Sequence, residues 1–322
     1  MTTAATAPGK AILFGEHAVV YGHPAIAVPL PGVAARAEVS TLTPCEDSRI
    51  VAQDLGRVYA GQGGAPDDEG RFLQAALAIV LREQGLAEQD VALAISVRSD
   101  IPIARGLGSG AAVAAALMRA VSTHLGSPVS EERLSTLVFQ TEQLLHGRPS
   151  GIDNTTVVLG RPVWFVPGTA PEPLAVGCPL SLIVGDTGVP SRTRDSVSSV
   201  RRRLEADPQD TAGILSAIGA IAAGARQALA AGRLDKVGQL MDDNHDHLKR
   251  LGVSSPELDR LVCAARGAGA LGAKLSGGGM GGCMIALTRA HATAQVAQVA
   301  QALVKAGAAG VYLASVGEKG TG

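Results

Sequence analysis

The chain has 322 residues, a net charge of -1 and an aromatic content of 2%. Its 46% hydrophobic residues are enough for a buried core in each of about two domains, the number this length favours. A near-neutral chain poor in rings offers neither a basic footprint nor stacking platforms, so no nucleic-acid partner is expected and a small molecule is.

The four cysteines, Cys45, Cys178, Cys263 and Cys283, lie far apart. They form no metal-like or redox pair, which fits buried thiols in a reducing compartment. The opening MTTAATAPGK lacks a basic stretch followed by an apolar one, and later apolar runs are broken by charge, Gly or Pro. A cytoplasmic chain with no membrane partner is expected.

In chain order, KAILFGE (10–16), AVVYG (18–22) and AIAVPL (25–30) read as short strands joined by tight connections. VALAISVRSDIPIA (91–104) is a strand candidate that runs into RGLGSGAA (105–112). The Ala- and Leu-rich segment 109–125 then reads as a helix with Ser109 as its N-cap. Residues 130–147 form a second helix, opened by Ser130 and closed by Gly147, with Glu142 and His146 in its last turn. The Pro- and Gly-rich stretch 166–179 places a domain boundary near residue 175, giving domains 1–175 and 176–322. Beyond it come a strand at 180–188, helices at 196–207, 211–231 and 234–251, the segment AKLSGGGMGGCMIAL (273–287), a helix at 290–306 and a strand at 310–316. Both halves read as α+β. The apolar helices leave room for a homodimer face.

With 40 glycines, matches to G-x-G-x-x-G at 267–272 and 277–282 carry little weight. A dinucleotide fold needs strand, loop, helix and an acidic strand end about 20 residues on, and none of the matches has them all. The P-loop pattern is absent. What remains for Gly106, Leu107, Gly108, Ser109, Gly110 and Ala111 is either an anion cradle at a helix N-terminus or a glycine turn that caps the helix.

Two further segments join the glycine loop. Residues 8–27, PGKAILFGEHAVVYGHPAIA, carry Lys10, Glu16 and His17 in an otherwise apolar run; residues 142–154, EQLLHGRPSGIDN, carry Glu142 and Asp153, the latter in a loop bounded by Pro and Gly. KLSGGGMGGC (274–283) adds a second glycine-rich concavity. In order and spacing these motifs resemble the three motifs of the GHMP small-molecule kinases, and the first and second are most similar to the members that act on mevalonate. The resemblance implies an N-terminal domain like ribosomal protein S5 domain 2 and a ferredoxin-like C-terminal domain. It implies ATP-dependent phosphorylation of the 5-hydroxyl of (R)-mevalonate, with Asp153 as catalytic base and Lys10 as its cationic neighbour. Residues 106–111 become the phosphate loop, Ser109 and Glu142 ligands of Mg²⁺, and Glu16 and His17 substrate contacts. TGVPSRT (187–193) resembles the substrate-side loop, and Thr187, Ser191 and Thr193 stay open as its hydroxyl contact. The family pattern G-L-G-S-S-A meets Gly110 at its second serine; either Ser109 takes the metal or water fills the place. A sister kinase acting on phosphomevalonate or on another mevalonate hydroxyl would carry the same ATP half. A non-catalytic ligand sensor would not need Lys10, Glu142 and Asp153 together.

Overall fold

A computed structural model describes residues 1–43, 46–61, 63–146 and 150–317. Cys45 and the proposed helix stop Gly147 lie outside the described residues. The chain divides into two compact units. One comprises Met1–Gly9, Val33–Pro102 and Gly108–Gly160, and the other Lys10–Gly32, Ile103–Leu107 and the chain from Arg161 on. A linear cut near residue 175 therefore does not describe the contact clusters. Two long strands, β1 (Thr2–Phe14) and β2 (Ala25–Thr41), each contribute to both units.

In the first unit, β3 (Arg49–Ala52), β4 (Arg57–Ala60) and β5 (Leu93–Ser99) line up with the C-terminal half of β2 in the order β4-β3-β5-β2. β3 and β5 are parallel, and β5 runs antiparallel to β2 from Ala35↔Ser99 to Thr41↔Leu93. Val33, Ala35, Ala37 and Val39 are buried at every second position of β2, the period that gives a sheet one apolar face. Helices α1 (Asp68–Glu83), α2 (Ser109–His124), α3 (Glu131–His146) and α4 (Ile152–Leu159) pack on one another and complete this core. In α1, Phe72, Leu73, Ala76, Leu77, Val80 and Leu81 are buried at helical spacing, and Asp67 caps the helix by accepting from Gly70 N at 2.8 Å.

In the second unit, Ala25–Ala27 of β2 pair with β6 (Val163–Phe165), which pairs with β7 (Glu172–Pro173). A four-stranded antiparallel sheet holds β8 (Leu180–Asp186), β9 (Gly272–Ser276), β10 (Cys283–Thr288) and β11 (Gly310–Val316) in the order β11-β8-β10-β9. Helices α5 (Thr193–Ala206), α6 (Pro208–Ala230), α7 (Leu234–Leu251) and α8 (Pro256–Gly267) separate β8 from β9, and α9 (Thr293–Lys305) separates β10 from β11. Allowing for the extra helices, this is the split β-α-β-β-α-β pattern expected of a ferredoxin-like domain. Ile183, Leu275 and Met284 from the sheet meet Ile214, Ile218, Leu248, Leu251, Leu258, Leu261 and Leu303 from the helices in one core. Among the described helices, α6 alone is long and apolar enough to cross a membrane. Its Ile214, Leu215 and Ile218 are buried in this core.

The edge strand β9 is held by α7. Gly238 of α7 and Gly272 approach so closely that a Cβ on either would collide with the other's backbone or with Leu271. At this distance α7 side chains satisfy the outward N–H groups that an edge strand leaves open. Ala273 N donates to Asp242 Oδ1 at 2.9 Å and Leu275 N to His245 Nδ1 at 3.3 Å.

Four local expectations are corrected. Residues 18–22 form a single 3-10 turn, Ala18–Tyr21, rather than a strand, because the left-handed His17 (φ 59°) and Gly22 (φ 88°) bend the chain on both sides. Ser109 is the first helical residue of α2, with the left-handed Gly108 (φ 74°) in the cap position. Asp153 lies in the first turn of α4, which the left-handed Gly151 opens, and not in a loop. Among the described cysteines, Cys283 is buried and its thiol is pushed up by burial, Cys178 is intermediate, and Cys263 is exposed rather than buried.

Candidate active site

The first unit carries Gly108, Ser109, Gly110, Ala111, Glu142 and Asp153. The first N–H groups of α2 have no intrahelical acceptor, and Gly108 in the cap position has no side chain to supply one. They form the positive end of a 16-residue helix, an arrangement suited to an anion. Gly110 is not needed for its backbone: a Cβ there would meet only Phe72 Cζ, at 3.7 Å. Glu142, on α3, is buried with 6% exposure. One helical turn-pair earlier on the same face, Ser135 accepts from Asn154 Nδ2 at its carbonyl (3.0 Å) and its hydroxyl (2.9 Å), which pins the first turn of α4 and so fixes where Asp153 starts from.

The second unit carries Lys10, Glu16, His17, Gly106, Leu107, Thr187, Ser191 and Thr193. Its segments are sewn together through backbone groups. Lys10 N donates to Leu107 O at 2.9 Å, and Ile12 N and O bond the Ser276 hydroxyl, both at 3.0 Å. Ser191 N donates to Ala104 O at 2.8 Å, Thr187 N to Gly282 O at 3.0 Å, and Gly282 N to Val189 O at 2.7 Å. Arg105, which sequence reasoning did not single out, bonds Asp186 at 3.0 Å and Gly188 O at 3.0 Å. It ties the glycine loop to the 187–193 segment.

Strain gathers at the same places. Of the non-glycine residues with positive φ, His17 (59°), Ala104 (57°) and Met280 (53°) belong to or adjoin the three motifs; such conformations cost energy and cluster at functional sites. The 277–282 hairpin turn between β9 and β10 needs its glycines for space as well: a Cβ on Gly278 would lie 2.8 Å from Thr193 Oγ1, and one on Gly281 2.7 Å from Pro190 O.

Lys10 is buried with 4% exposure. His17 is buried, and its Nε2–H donates to Gly278 O at 2.9 Å. Burial lowers its pKa to about 4, so the ring is neutral at pH 7 with its proton on Nε2. The Thr187 hydroxyl is spent on structure, donating to Gly282 O at 2.7 Å. Ser191 Oγ and Thr193 Oγ1 lie 3.4 Å apart, the first half-buried and the second exposed. Both oxygens of Glu16 are engaged within the chain: Oε1 pairs with Lys274 Nζ, and Oε2 accepts from Asn244 Nδ2 at 3.0 Å.

His245, beside Asp259 at 3.3 Å, is also lowered to about 4, by burial first and by Arg266 second. Both histidines bind a proton more weakly in the native chain than their ordinary value of 6.5. Between about pH 6.5 and pH 4 the unfolded chain is therefore protonated while the native one is not, and stability falls as pH falls through that window. Urea unfolding at pH 7.5 and at pH 5 should differ by on the order of 2 kcal/mol for each histidine. The difference should shrink by about half in His245→Asn, and equal midpoints at the two pH values would contradict it.

Mg²⁺ takes a few hard oxygen ligands and completes its shell with phosphate and water. Among the described residues no group of three or more His, Cys, Asp or Glu comes together. Glu142 and Ser109 are oxygen donors of the kind a phosphate-bound Mg²⁺ accepts.

A helix N-terminus prepared for an anion, a buried lysine and two carboxylates are the groups that phosphoryl transfer to an alcohol calls for. The chain belongs to the GHMP kinase family: GHMP kinases N terminal domain matches residues 71–161 and GHMP kinases C terminal matches 225–309. It is 36% identical to the mevalonate kinase of Pyrococcus furiosus over 309 residues, 89% of each chain. It is 38% identical to that of Pyrococcus horikoshii over 305 residues, 88% of each. The crystal structure of L. major mevalonate kinase in complex with R-mevalonate superposes with a TM-score of 0.83 at 28% identity, covering 97% of this chain and 95% of that one.

Proposed function

We propose that this protein transfers the γ-phosphoryl group of ATP to the 5-hydroxyl of (R)-mevalonate. The observation that carries the reading is similarity along nearly the whole chain to kinases named for mevalonate. The retained Lys10, Glu142 and Asp153 support it. In this reading residues 106–111 cradle the phosphates with the α2 N-terminus beneath them. Glu142 and Ser109 would hold Mg²⁺, which when bound offsets the charge on the phosphates. Asp153 accepts a hydrogen bond from the attacking hydroxyl, orients it, and takes its proton late in the transfer. Lys10 places a fixed positive charge at the reacting groups. Neutral His17 keeps Nδ1 as an acceptor for a substrate hydroxyl, and Ser191 and Thr193 are better placed than Thr187 to meet substrate because its hydroxyl is already used. The substrates are small water-borne metabolites, and the reading places the protein in the cytoplasm.

A coupled ADP-release assay with Mg-ATP tests it against (R)-mevalonate, phosphomevalonate and homoserine. Turnover of mevalonate at a kcat/KM at least about a hundredfold above the other two is the expected result. Faster turnover of phosphomevalonate would assign the protein to the sister reaction, and ligand binding without any turnover would make it a sensor.

A further inference from the structure

Among the described residues of the second unit, Glu16 and Lys274 are the least solvent-exposed charged pair, with both side chains at 0% exposure. Lys274 Nζ also donates to Leu275 O at 2.6 Å. The remaining Glu16 oxygen takes the Asn244 amide at 3.0 Å, so each Glu16 oxygen already has a partner within the chain and the side chain has no exposure to solvent. Asn244 comes from α7, the helix that the Gly238–Gly272 contact presses onto β9.

The pair stands between two strained pieces of backbone. Glu16 is followed by His17 at φ 59°. Lys274 is followed, three residues on, by a turn in which Gly277, Gly279, Met280, Gly281 and Gly282 all have positive φ. The two pieces meet at three levels: Ile12 on Ser276, Glu16 on Lys274, and His17 on Gly278. Two apolar side chains would fill the same volume but would fix neither distance nor register. A buried ion pair is a poor source of stability and can be a good source of specificity.

We propose that Glu16, Lys274 and Asn244 form a positioning clamp that holds His17 and the 277–282 turn in place for substrate, and that Glu16 acts through Lys274 without touching substrate itself. This rests on the mevalonate reading for the identity of the substrate and replaces the expected role of Glu16 as a contact. Lys274 and Asn244 are then positioning residues for the reaction.

The test is a double-mutant cycle in the full-length protein with Glu16→Gln, Lys274→Met and the pair combined, each measured for Tm and for kcat and KM with mevalonate and with ATP. Either single change strands a buried partner and should raise the KM for mevalonate by about tenfold or more while the KM for ATP stays within about twofold. In the combined variant the losses should not multiply, and it should match or exceed the poorer single variant in kcat/KM and in Tm. Multiplying losses would mean that Glu16 contacts substrate independently of Lys274 and would overturn the clamp. Asn244→Leu covers the case in which the single variants do not fold. It keeps both charges and removes one amide whose Oδ1 is buried without a partner. It should raise the mevalonate KM about fivefold with Tm changed by only a few degrees; an unchanged mevalonate KM would overturn the proposal as well. Absence of wild-type turnover with mevalonate would remove the substrate reading alone, and the clamp would then be decided by whether the Tm losses across the cycle are additive.

Discussion

Asp153→Asn should lower kcat by about 10²–10⁴-fold, the range a positioned general base supplies, with the KM for ATP unchanged within about twofold. An aspartate in the first turn of α4 has an alternative purpose, since a negative charge there stabilises the helix. That contribution is at most about 1 kcal/mol at a half-exposed site and would leave turnover in the folded protein intact. The two roles therefore separate cleanly. Asp153→Asn lowers Tm by no more than a few degrees in either case; if the aspartate serves only the helix kcat is kept, and if it orients the hydroxyl kcat collapses. The backbone that carries Asp153 should be undisturbed in either case, because Asn154, Thr155 and Thr156 anchor the turn through bonds to Ser135, Gly151 O and Ile152 O.

Lys10→Met should lower kcat by about 10²–10³-fold, as expected when one preorganised charge is withdrawn from a developing transition state, with the KM for either substrate within about threefold. Methionine fills most of the volume of the buried lysine, and the backbone bond from residue 10 to Leu107 O does not depend on the side chain. Lys10→Arg should fall in between, since a guanidinium keeps the charge but spreads it over a planar fork. Circular dichroism establishes that each variant is folded before kinetics are compared. A kcat for Lys10→Met within about threefold of wild type would remove the charge from the transfer step.

The parts of the fold that were legible in the sequence are those with local causes. The glycines at 106 and 108 and the alanines after them announce a turn entering a helix, and that is what α2 is. The glycine run at 277–282 leads into a strand, and it proves to be the hairpin turn between β9 and β10. Helix α8, absent from the elements expected in chain order, carries local signals of its own, with Ser255 capping and Pro256 in the first turn. The 3-10 turn at Ala18–Tyr21 was obscured because its Val and Tyr residues carry strand propensity, and the bend comes from the backbone of His17 and Gly22.

What the sequence concealed is pairing over long separations. Glu16 and Lys274 are 258 positions apart, and nothing near either one names the other. Lys274 lies inside the motif KLSGGGMGGC, where a lysine before a turn is ordinarily a solvated strand end. The same holds for Arg105 and Asp186, 81 positions apart. The interleaving of the two units has this origin too, since a strand as long as β2 gives no local sign that its two halves serve different cores.

The central claim concerns which hydroxyl receives the phosphoryl group, and the most direct measurement is the proton-coupled ³¹P NMR spectrum of the product formed from (R)-mevalonate and Mg-ATP. Phosphorylation of the primary 5-hydroxyl places the phosphorus beside a methylene group, and the account predicts a monophosphate resonance split into a triplet, formed in step with ADP. An unsplit monophosphate resonance, the mark of transfer to the tertiary 3-hydroxyl, would contradict it.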